Sequence, residues 1–312
     1  MIPTNSLPLS LLLLLSPLAH SQSPPAPFTR TLFLDNFTTY PPTLQQPTTS
    51  KWSFSLGTSY PGGPPRWGTN EIQSYTSSPS NINVTSPRNT LTITPLKLPS
   101  GQWTSSRLEC LPVHDFSCAP GAKIRVEASL RFGSSPAAQQ KGIWPSFWLL
   151  GADFRGNYRN WPAVGEVDIA ESISGQPTLW QVLHCGTAPG GACNEYEGVW
   201  NTVSGFTRRQ NEFHTVAVEI DRTNSGGDWR GERLSWWVDG RKTFEVDGGR
   251  VRDERAWTAV TRGSKFVILN VAVGGDFPDN VANEGGGKTP TTETKGGEGA
   301  EMEVRYVAVY ST

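Results

Sequence analysis

The stretch from Val164 to Glu171 limits what this chain can fold into more than any other, because acidic and apolar residues alternate along it. Glu166 and Asp168 are each followed by a β-branched residue. Successive side chains of a β-strand point to opposite faces, so the two acids would share one face and the apolar residues the other. The stretch therefore predicts a strand with one face on a core and an acidic face toward water or a ligand.

Glu171 falls out of this alternation and would point to the apolar face of a regular strand. One extra residue between Asp168 and Glu171 would return it to the acidic face, and such β-bulges are common beside active sites. Ala170 is small enough to be the extra residue. With a strand rise of ~3.3 Å per residue, the carboxyls of Glu166 and Glu171 would then lie on the order of 5 to 6 Å apart.

This spacing bears on the chemistry of a glycosidase. Retaining glycosidases need carboxyls about 5–5.5 Å apart, whereas inverting enzymes need roughly 6.5–9.5 Å to fit a water molecule. The estimate favours retention and leaves inversion open. Three acids alone are better explained by a solvated face on an ordinary strand, so the neighbouring residues have to decide.

Composition excludes several classes of function. The 312 residues carry a formal net charge of −1, so neither nucleic acid nor an anionic membrane is indicated as a partner. The chain has 32 Gly and 25 Pro with few long helical periods, which predicts many short strands joined by turns. After a Pro/Ser-rich linker over 22–30, we expect one all-β domain over 31–312, built as a β-sandwich or jelly roll.

Residues 1–21 have the features of a secretory signal. An apolar run from Leu7 to Leu18 precedes a small-x-small sequence, and the run is too short to span a bilayer. Asn36 and Asn83 begin acceptor sequences for N-glycans. We therefore predict a secreted, extracellular glycoprotein.

The four cysteines agree with an oxidising compartment. Cys110 lies close to Cys118 in sequence, and Cys185 lies close to Cys193. Two local disulfides are the simplest pairing, although other connectivities stay open. The absence of any Cys-x-x-Cys sequence makes a zinc site unexpected.

An aromatic strand is predicted from Gly142 to Gly151, shortly before the acids. Trp144 and Trp148 are four residues apart and would share a face of that strand, and Trp161 follows before the acids. Sugar rings pack their C–H face on an indole, whereas their hydroxyls need polar partners, so an aromatic wall with a carboxylate floor would suit a polysaccharide. Each aromatic residue alone could equally be part of a core.

The chain resembles glycoside hydrolase family sixteen, in its laminarinase-like branch, through three motifs in order: Gly-Ile-Trp-Pro-Ser-Phe-Trp-Leu-Leu-Gly, Asn-Trp-Pro and Gly-Glu-Val-Asp-Ile-Ala-Glu. The resemblance extends from about Leu32 to Tyr310. It implies a concanavalin-like β-jelly roll of two antiparallel sheets. It also implies a retaining endo-β-glucanase that hydrolyses β-1,3- or mixed β-1,3/1,4-glucans, with galactan-type polymers as another substrate class of related scaffolds.

Position by position, the resemblance implies a role for each acid. Glu166 would be the nucleophile and Glu171 the general acid/base, while Asp168 would lie between them and assist the nucleophile. Substrate contacts are implied at further positions, namely Asn70, Arg107, Trp144, Trp148, Trp161 and His184.

Two of these positions also have structural interpretations. A single His in a strand is often a satisfied structural residue, although Asp168 or a sugar hydroxyl would be a natural partner for His184. Arg107 could bind substrate or form a buried ion pair with Glu109 or Glu71. The residues alone leave both alternatives open.

The chain also departs from the family pattern. Arg305 stands where the family often has an Asp that contributes to a calcium site, so no calcium, and no other metal or cofactor, is expected. Ala170 replaces the Met that is common in the bulge. The Gly/Thr-rich segment from Asp279 to Ala300 is predicted to be an exposed insertion that could reshape one end of a cleft.

Two other functions compete with hydrolysis. A glucan transglycosylase would use the same scaffold, with a sugar in place of water as the acceptor, and no residue separates the two activities. A non-catalytic glucan-binding protein would be expected to lose Glu166 and Glu171, which are both present. A monomer is expected, because the enzyme must clamp a long polymer.

Overall fold

The computed structural model describes residues 23–38, 47, 49–85, 89–209, 212–223, 226–281 and 287–312. The predicted signal sequence over 1–21 and the first residue of the predicted linker lie outside these ranges. Within the described ranges, no helix is long and apolar enough to cross a membrane.

Strands account for most of the regular structure. They are β1 (Arg30–Asp35), β2 (Trp52–Phe54), β3 (Ser74–Tyr75), β4 (Ile82–Thr85), β5 (Thr90–Ile93), β6 (Leu96–Lys97), β7 (Trp103–Ser105), β8 (Arg107–Cys110), β9 (Lys123–Arg131), β10 (Ile143–Gly151), β11 (Glu166–Glu171), β12 (Thr178–His184), β13 (Val199–Ser204), β14 (His214–Asp221), β15 (Arg233–Val238), β16 (Arg241–Asp247), β17 (Lys265–Val273) and β18 (Met302–Ser311). The helices are α1 (Gly248–Val251), α2 (Glu254–Thr261) and α3 (Asp276–Val281).

Two antiparallel sheets pack face to face. The front sheet has the strand order β13-β12-β11-β10-β17-β8-β2, and the back sheet has the order β16-β15-β14-β9-β18-β5-β4, with β1 also paired to β18. The core between them draws on both sheets, for example Val167 of the front sheet and Val218 and Trp236 of the back sheet. The predicted jelly roll of two antiparallel sheets is confirmed.

The sequence Asp239-Gly240 is a hairpin turn signal, and the structure has a hairpin at this position. β15 and β16 pair with Val238 opposite Arg241, so only Asp239 and Gly240 form the loop. Both have positive φ, 49° and 76°, which is the backbone conformation of a type I′ turn. The turn chemistry therefore sets the register of this edge of the back sheet.

The alternation of polar and bulky residues from Thr69 to Thr76 predicts a strand, and this expectation is wrong for most of the stretch. The predicted strand from Thr69 to Thr76 shrinks to Ser74–Tyr75, and Asn70 takes a left-handed conformation with a φ of 62°. The predicted exposed insertion is exposed only in part: the Lys288 side chain is 87% exposed, whereas Thr289 and Thr294 are only 5% and 2% exposed. The Thr294 hydroxyl donates to the Lys141 carbonyl over 2.8 Å, which ties this segment to the start of β10.

The cysteines form one of the two predicted disulfides. Cys185 and Cys193 are bonded, with their Cα atoms 5.3 Å apart. The predicted pair of Cys110 and Cys118 is wrong, because both are free and buried. Cys110 ends β8 in the front sheet, whereas the Cys118 thiol lies 3.6 Å from the Ile220 carbonyl of the back sheet. The Cys118 thiol contacts the back sheet instead of Cys110, so closeness in sequence does not pair the two.

Candidate active site

A β-bulge in β11 brings the three acids onto the open face of the front sheet. Ala170 pairs with Phe147, and Asp168 pairs with the next residue of β10, so Ile169 has no partner on that side. Toward β12 the register also shifts between Asp168 and Glu171. The bulge lies where it was predicted, but the extra residue relative to β10 is Ile169 rather than Ala170.

The bulge is held from the opposite sheet. A bulge interrupts the hydrogen-bond ladder locally. The indole N–H of Trp236, a fully buried residue of β15, donates to the backbone carbonyl of Asp168 over 2.9 Å. The core of the sandwich thus supports the backbone irregularity on which the acidic face depends.

Glu171 is oriented by β10. The indole N–H of Trp144 and the hydroxyl of Ser146 both donate to Oε1 of Glu171, over 2.7 and 3.1 Å. Among the described residues, no hydrogen bond reaches the other carboxyl oxygen, Oε2. The Glu171 side chain is therefore fixed through one oxygen, and the second oxygen can carry a proton toward a ligand.

The prediction that Trp144 and Trp148 share one face of β10 is confirmed. Trp144 and Trp148 are half-buried on the open side, whereas Ile143, Phe147 and Leu149 point into the core. The indole N–H of Trp148 donates to Oδ1 of the Asn270 side chain over 2.7 Å, so Trp148 is oriented independently of the acids.

His184 stands directly opposite Glu166 across the β11–β12 pair. Its Nε2 lies 3.6 Å from Oδ2 of Asp168, and its Nδ1 lies 2.7 Å from Oε2 of Glu195. The ring centroid of Trp161 is 5.4 Å from that of His184. Sequence reasoning placed His184 and Trp161 near the acids but missed Glu195, whose signal would have been its position two residues after Cys193.

The three acids share a common electrostatic situation. Burial raises the pKa of Glu166 to about 7; the positive charge of His184 opposes this shift and the negative charge of Glu171 adds to it. Burial and the other carboxylates raise the pKa of Asp168. Burial also raises the pKa of Glu171, although the hydrogen bond from Trp144 works against it. Carboxyls this close titrate together, so the cluster retains protons near neutral pH.

Arg107 forms the ion pair that was one of its two interpretations. Its Nε lies 3.4 Å from Oε1 of Glu109, and its guanidinium carbon lies 4.9 Å from the ring centroids of both Trp67 and Trp148. The residue is only 5% exposed. Arg107 therefore packs against the ring of Trp148 and holds it in place. Its position over the two aromatic rings is a favourable cation–π arrangement.

Asn70 lies apart from the acids. It is exposed, and its amide donates to both carboxylate oxygens of Asp276, over 3.0 and 2.9 Å. Asp276 begins α3, which carries Phe277 to 5.5 Å from the Trp144 ring. Asn70 thus belongs to the rim of the open face, through α3.

A second aromatic group was missed by sequence reasoning. Trp180 pairs with Glu171 across the β11–β12 ladder and contacts Phe277 at 5.3 Å and Trp200 at 5.4 Å between ring centroids. Trp200 is 49% exposed. It lies on β13, whose sequence has no clear alternation of apolar and polar residues, so the strand and its Trp were not predicted.

One triplet of side chains in the described ranges has ligating atoms within 4.8 Å of one another, and it consists of Glu166, Asp168 and His184. This triplet is the acid cluster itself. We interpret its close contacts as shared protons, because His184 already pairs with Asp168 and Glu195 and burial keeps protons on the carboxyls.

Known proteins that are similar to this chain include glucanases. The chain is similar to a solved endo-1,3-β-glucanase from Streptomyces sioyaensis, with 43% sequence identity, a TM-score of 0.82, and coverage of 92% of this chain and 98% of the other. It is 26% identical over 269 residues to a glucan endo-1,3-β-glucosidase of Cryptopygus antarcticus, covering 82% of this chain and 85% of that protein.

A third relative is much longer. The chain is 28% identical over 268 residues to the clotting factor G alpha subunit of Tachypleus tridentatus, covering 84% of this chain but only 32% of that protein. No family model matches the chain. The match to the Streptomyces protein has enough sequence identity and covers enough of both chains to establish the family. This chain belongs to the laminarinase-like endo-1,3-β-glucanases of glycoside hydrolase family sixteen.

Proposed function

We propose that this protein is a secreted endo-β-glucanase that cleaves β-1,3- or mixed β-1,3/1,4-glucans with retention of anomeric configuration. The observation that carries the proposal is the bulge in β11, because it gives Glu166 and Glu171 a common face and leaves Asp168 between them. A plain strand would have turned Glu171 into the core.

Each acid then has a distinct step. Glu166 attacks the anomeric carbon, the bond to the leaving oxygen breaks, and Glu171 gives that oxygen its proton. In the second step Glu171 takes a proton from water, which attacks the same carbon and releases Glu166. Asp168 shares a proton with Glu166, so it can stabilise the carboxylate that forms when the glycosyl-enzyme breaks down.

The aromatic side chains would bind sugar rings on both sides of the acids. Trp144 and Trp148 line β10, Trp161 stands beside His184, and Trp180 follows on β12. Trp180 is only half-buried, so part of its ring can face a sugar. This arrangement favours a long polymer over a small glycoside.

Secretion is supported by the signal-like residues 1–21 and by the disulfide of Cys185 and Cys193, since disulfides persist in oxidising compartments. Both predicted glycan sites are half-buried. The Thr38 hydroxyl donates to the side-chain oxygen of Asn36, and the Asn83 amide lies 3.4 Å from the Pro79 carbonyl. We propose that both sites can be glycosylated and that the protein acts as a monomer.

The test is product analysis with laminarin, barley mixed-linkage glucan and agarose in parallel, with Glu166→Gln as the blank. Oligosaccharides from laminarin or barley glucan that are absent from the blank support the proposal, and their linkages define the specificity. Elongated products would identify a transglycosylase. Binding without products would identify a glucan-binding protein. Turnover by Glu166→Gln at the wild-type rate would contradict the assignment of Glu166 as the nucleophile.

Azide distinguishes the roles of the two Glu residues. With Glu166→Ala, azide should replace the nucleophile and give a glycosyl azide of inverted configuration. With Glu171→Ala and an activated substrate, azide should attack the glycosyl-enzyme and give a product of retained configuration. Retained configuration with Glu166→Ala and inverted configuration with Glu171→Ala would mean that Glu171 is the nucleophile and Glu166 the general acid/base.

A further inference from the structure

Glu195 is a buried acid, and each of its two carboxylate oxygens has a partner. Its side chain is fully shielded from solvent, with a relative exposure of 0%. Oε1 accepts a hydrogen bond from the backbone N–H of Cys185 over 2.7 Å, and Oε2 lies 2.7 Å from Nδ1 of His184. Both oxygens thus bind groups at the end of β12, directly beside the acids of β11.

We propose that Glu195 is a positioning residue for the reaction: it fixes the His184 ring with Nδ1–H on its own carboxylate and Nε2 toward Asp168, and it keeps a proton on that ring beside the nucleophile. The inference rests on the proposed glucanase function. Without Glu195, Nδ1 of His184 would lose the carboxylate that favours its proton, and loss of that proton would remove the positive charge that faces the acids.

The site around His184 leaves the ring little freedom. Trp161 packs on it with ring centroids 5.4 Å apart. Gly198, at the start of β13, approaches it so closely that a Cβ there would lie 2.9 Å from Cε1 and 3.0 Å from Nδ1 of the ring. With Glu195 on the third side, the ring is held in one plane with Nε2 3.6 Å from Asp168.

The charges around His184 explain why its proton matters. It faces Glu166, Asp168 and Glu171 from β11 and Glu195 from the loop, while Arg107 acts on Glu166 from β8. Burial lowers the pKa of His184, but the hydrogen bond to Glu195 and the surrounding carboxylates outweigh burial and raise it above its usual value. The His184 charge in turn lowers the pKa of Glu166 more than the negative charge of Glu195 raises it.

The disulfide holds this loop in position. Cys185 follows β12 directly and is bonded to Cys193, which precedes Glu195 by two residues. The backbones of Gly190 and Glu195 also exchange hydrogen bonds across the loop. The loop therefore returns Glu195 to the end of the strand from which it departs.

Glu195→Gln is a sharp test because it keeps the size and shape of the side chain. It replaces the carboxylate oxygen that accepts from Nδ1 of His184 with an NH₂ group that can only donate. If its amide oxygen accepts from the Cys185 N–H, its NH₂ group faces Nδ1 of His184, and Nδ1 must then be unprotonated. The ring becomes neutral, with its remaining proton on Nε2. Loss of the cation raises the pKa of Glu166, so fewer molecules carry an ionised nucleophile at acid pH.

The expected result is a shift of the acid limb of kcat/KM to higher pH by about one unit, hence about tenfold lower kcat/KM on that limb. KM should change little. Nitrogen-15 NMR at pH 6 should show both His184 ring nitrogens protonated in the wild type and only one in Glu195→Gln. The matched control is Glu197→Gln, an exposed Glu of the same loop, which should leave the profile and the His184 signals unchanged.

An unmoved acid limb in Glu195→Gln, with His184 still doubly protonated, would overturn the inference. A uniform loss of kcat/KM at every pH, in step with a lower urea midpoint, would also overturn it by showing a purely structural role. Failure of the proposed function is separate: the wild type would then release no oligosaccharide from any glucan, while the NMR comparison would still test the link between Glu195 and His184.

Discussion

The indole of Trp236 and the backbone carbonyl of Asp168 are joined by a 2.9 Å hydrogen bond that crosses the core of the sandwich. Trp236 belongs to the back sheet and Asp168 to the bulge of the front sheet, so this single contact couples the packing of the core to the geometry of the acids. A buried carbonyl without a donor costs about 1–3 kcal/mol, which makes the contact important for stability as well as for position.

Trp236→Phe should therefore lower both stability and activity. The expected loss in unfolding free energy is about 1–3 kcal/mol from the unsatisfied carbonyl, in addition to the smaller ring. A relaxed bulge should also lower kcat, because Glu171 depends on it for its direction. Urea unfolding and initial rates on laminarin measure the two effects.

The control for that variant is Trp257→Phe. Trp257 is also fully buried, but its indole N–H has no hydrogen-bond partner among the described residues. The same change in volume should then cost less stability and leave kcat near wild type. Equal losses in both variants would show that ring volume, and not the bond to Asp168, is responsible.

Trp144→Phe should move the alkaline limb of the pH profile. The hydrogen bond from Trp144 stabilises the ionised form of Glu171 and lowers its pKa. Without the bond, the pKa of Glu171 rises, the general acid keeps its proton to higher pH, and the alkaline limb of kcat shifts upward. Trp148→Phe should lower activity without this shift, since its indole bonds to Asn270. An upward shift in both variants would contradict the assignment.

Thiol chemistry should separate the two kinds of cysteine. Burial raises the pKa of the Cys118 thiol to about 12 and also raises that of Cys110, so both should resist a thiol reagent in the native protein. In denaturant without reductant, both should react, and peptide mapping should find Cys185 linked to Cys193. A peptide linking Cys110 to Cys118 would contradict the structure.

Lys265 should make stability depend on pH. Burial lowers the pKa of its amine from 10.5 to about 7, while its Nζ donates to the carbonyl of Gly263 over 3.1 Å and also to that of Ala259, at the end of α2. Between these pKa values the unfolded chain binds the extra proton, so the free energy of unfolding should rise as the pH increases.

Comparison with Lys265→Met isolates that effect. From pH 7 to 9 the wild type should gain about 2 kcal/mol of unfolding free energy relative to the variant, as measured in urea. Lys97→Met, at an exposed position, should follow the wild type at both pH values. Parallel curves for the wild type and Lys265→Met would show that Lys265 does not titrate in this range.

Features that depend on near neighbours along the chain can be predicted from the sequence. Val216, Val218 and Ile220 alternate with other residues between His214 and Asp221, which predicts a strand, and β14 has these bounds. The spacing of Asp168 and Glu171 required a bulge, and Asp239-Gly240 required a hairpin turn, since few other residues accept positive φ at both positions.

Which distant groups come together depends, in contrast, on the complete fold. The bulged residue is Ile169 rather than Ala170, because pairing with β10 selects the register. Cys110 and Cys118 stay free because the Cys118 thiol contacts the back sheet instead of Cys110. Glu195 reaches His184 because a disulfide loop turns back on β12. Alternation along a strand fixes a face, but the partner on that face comes from another strand or loop, and its position depends on how the whole chain closes around its core.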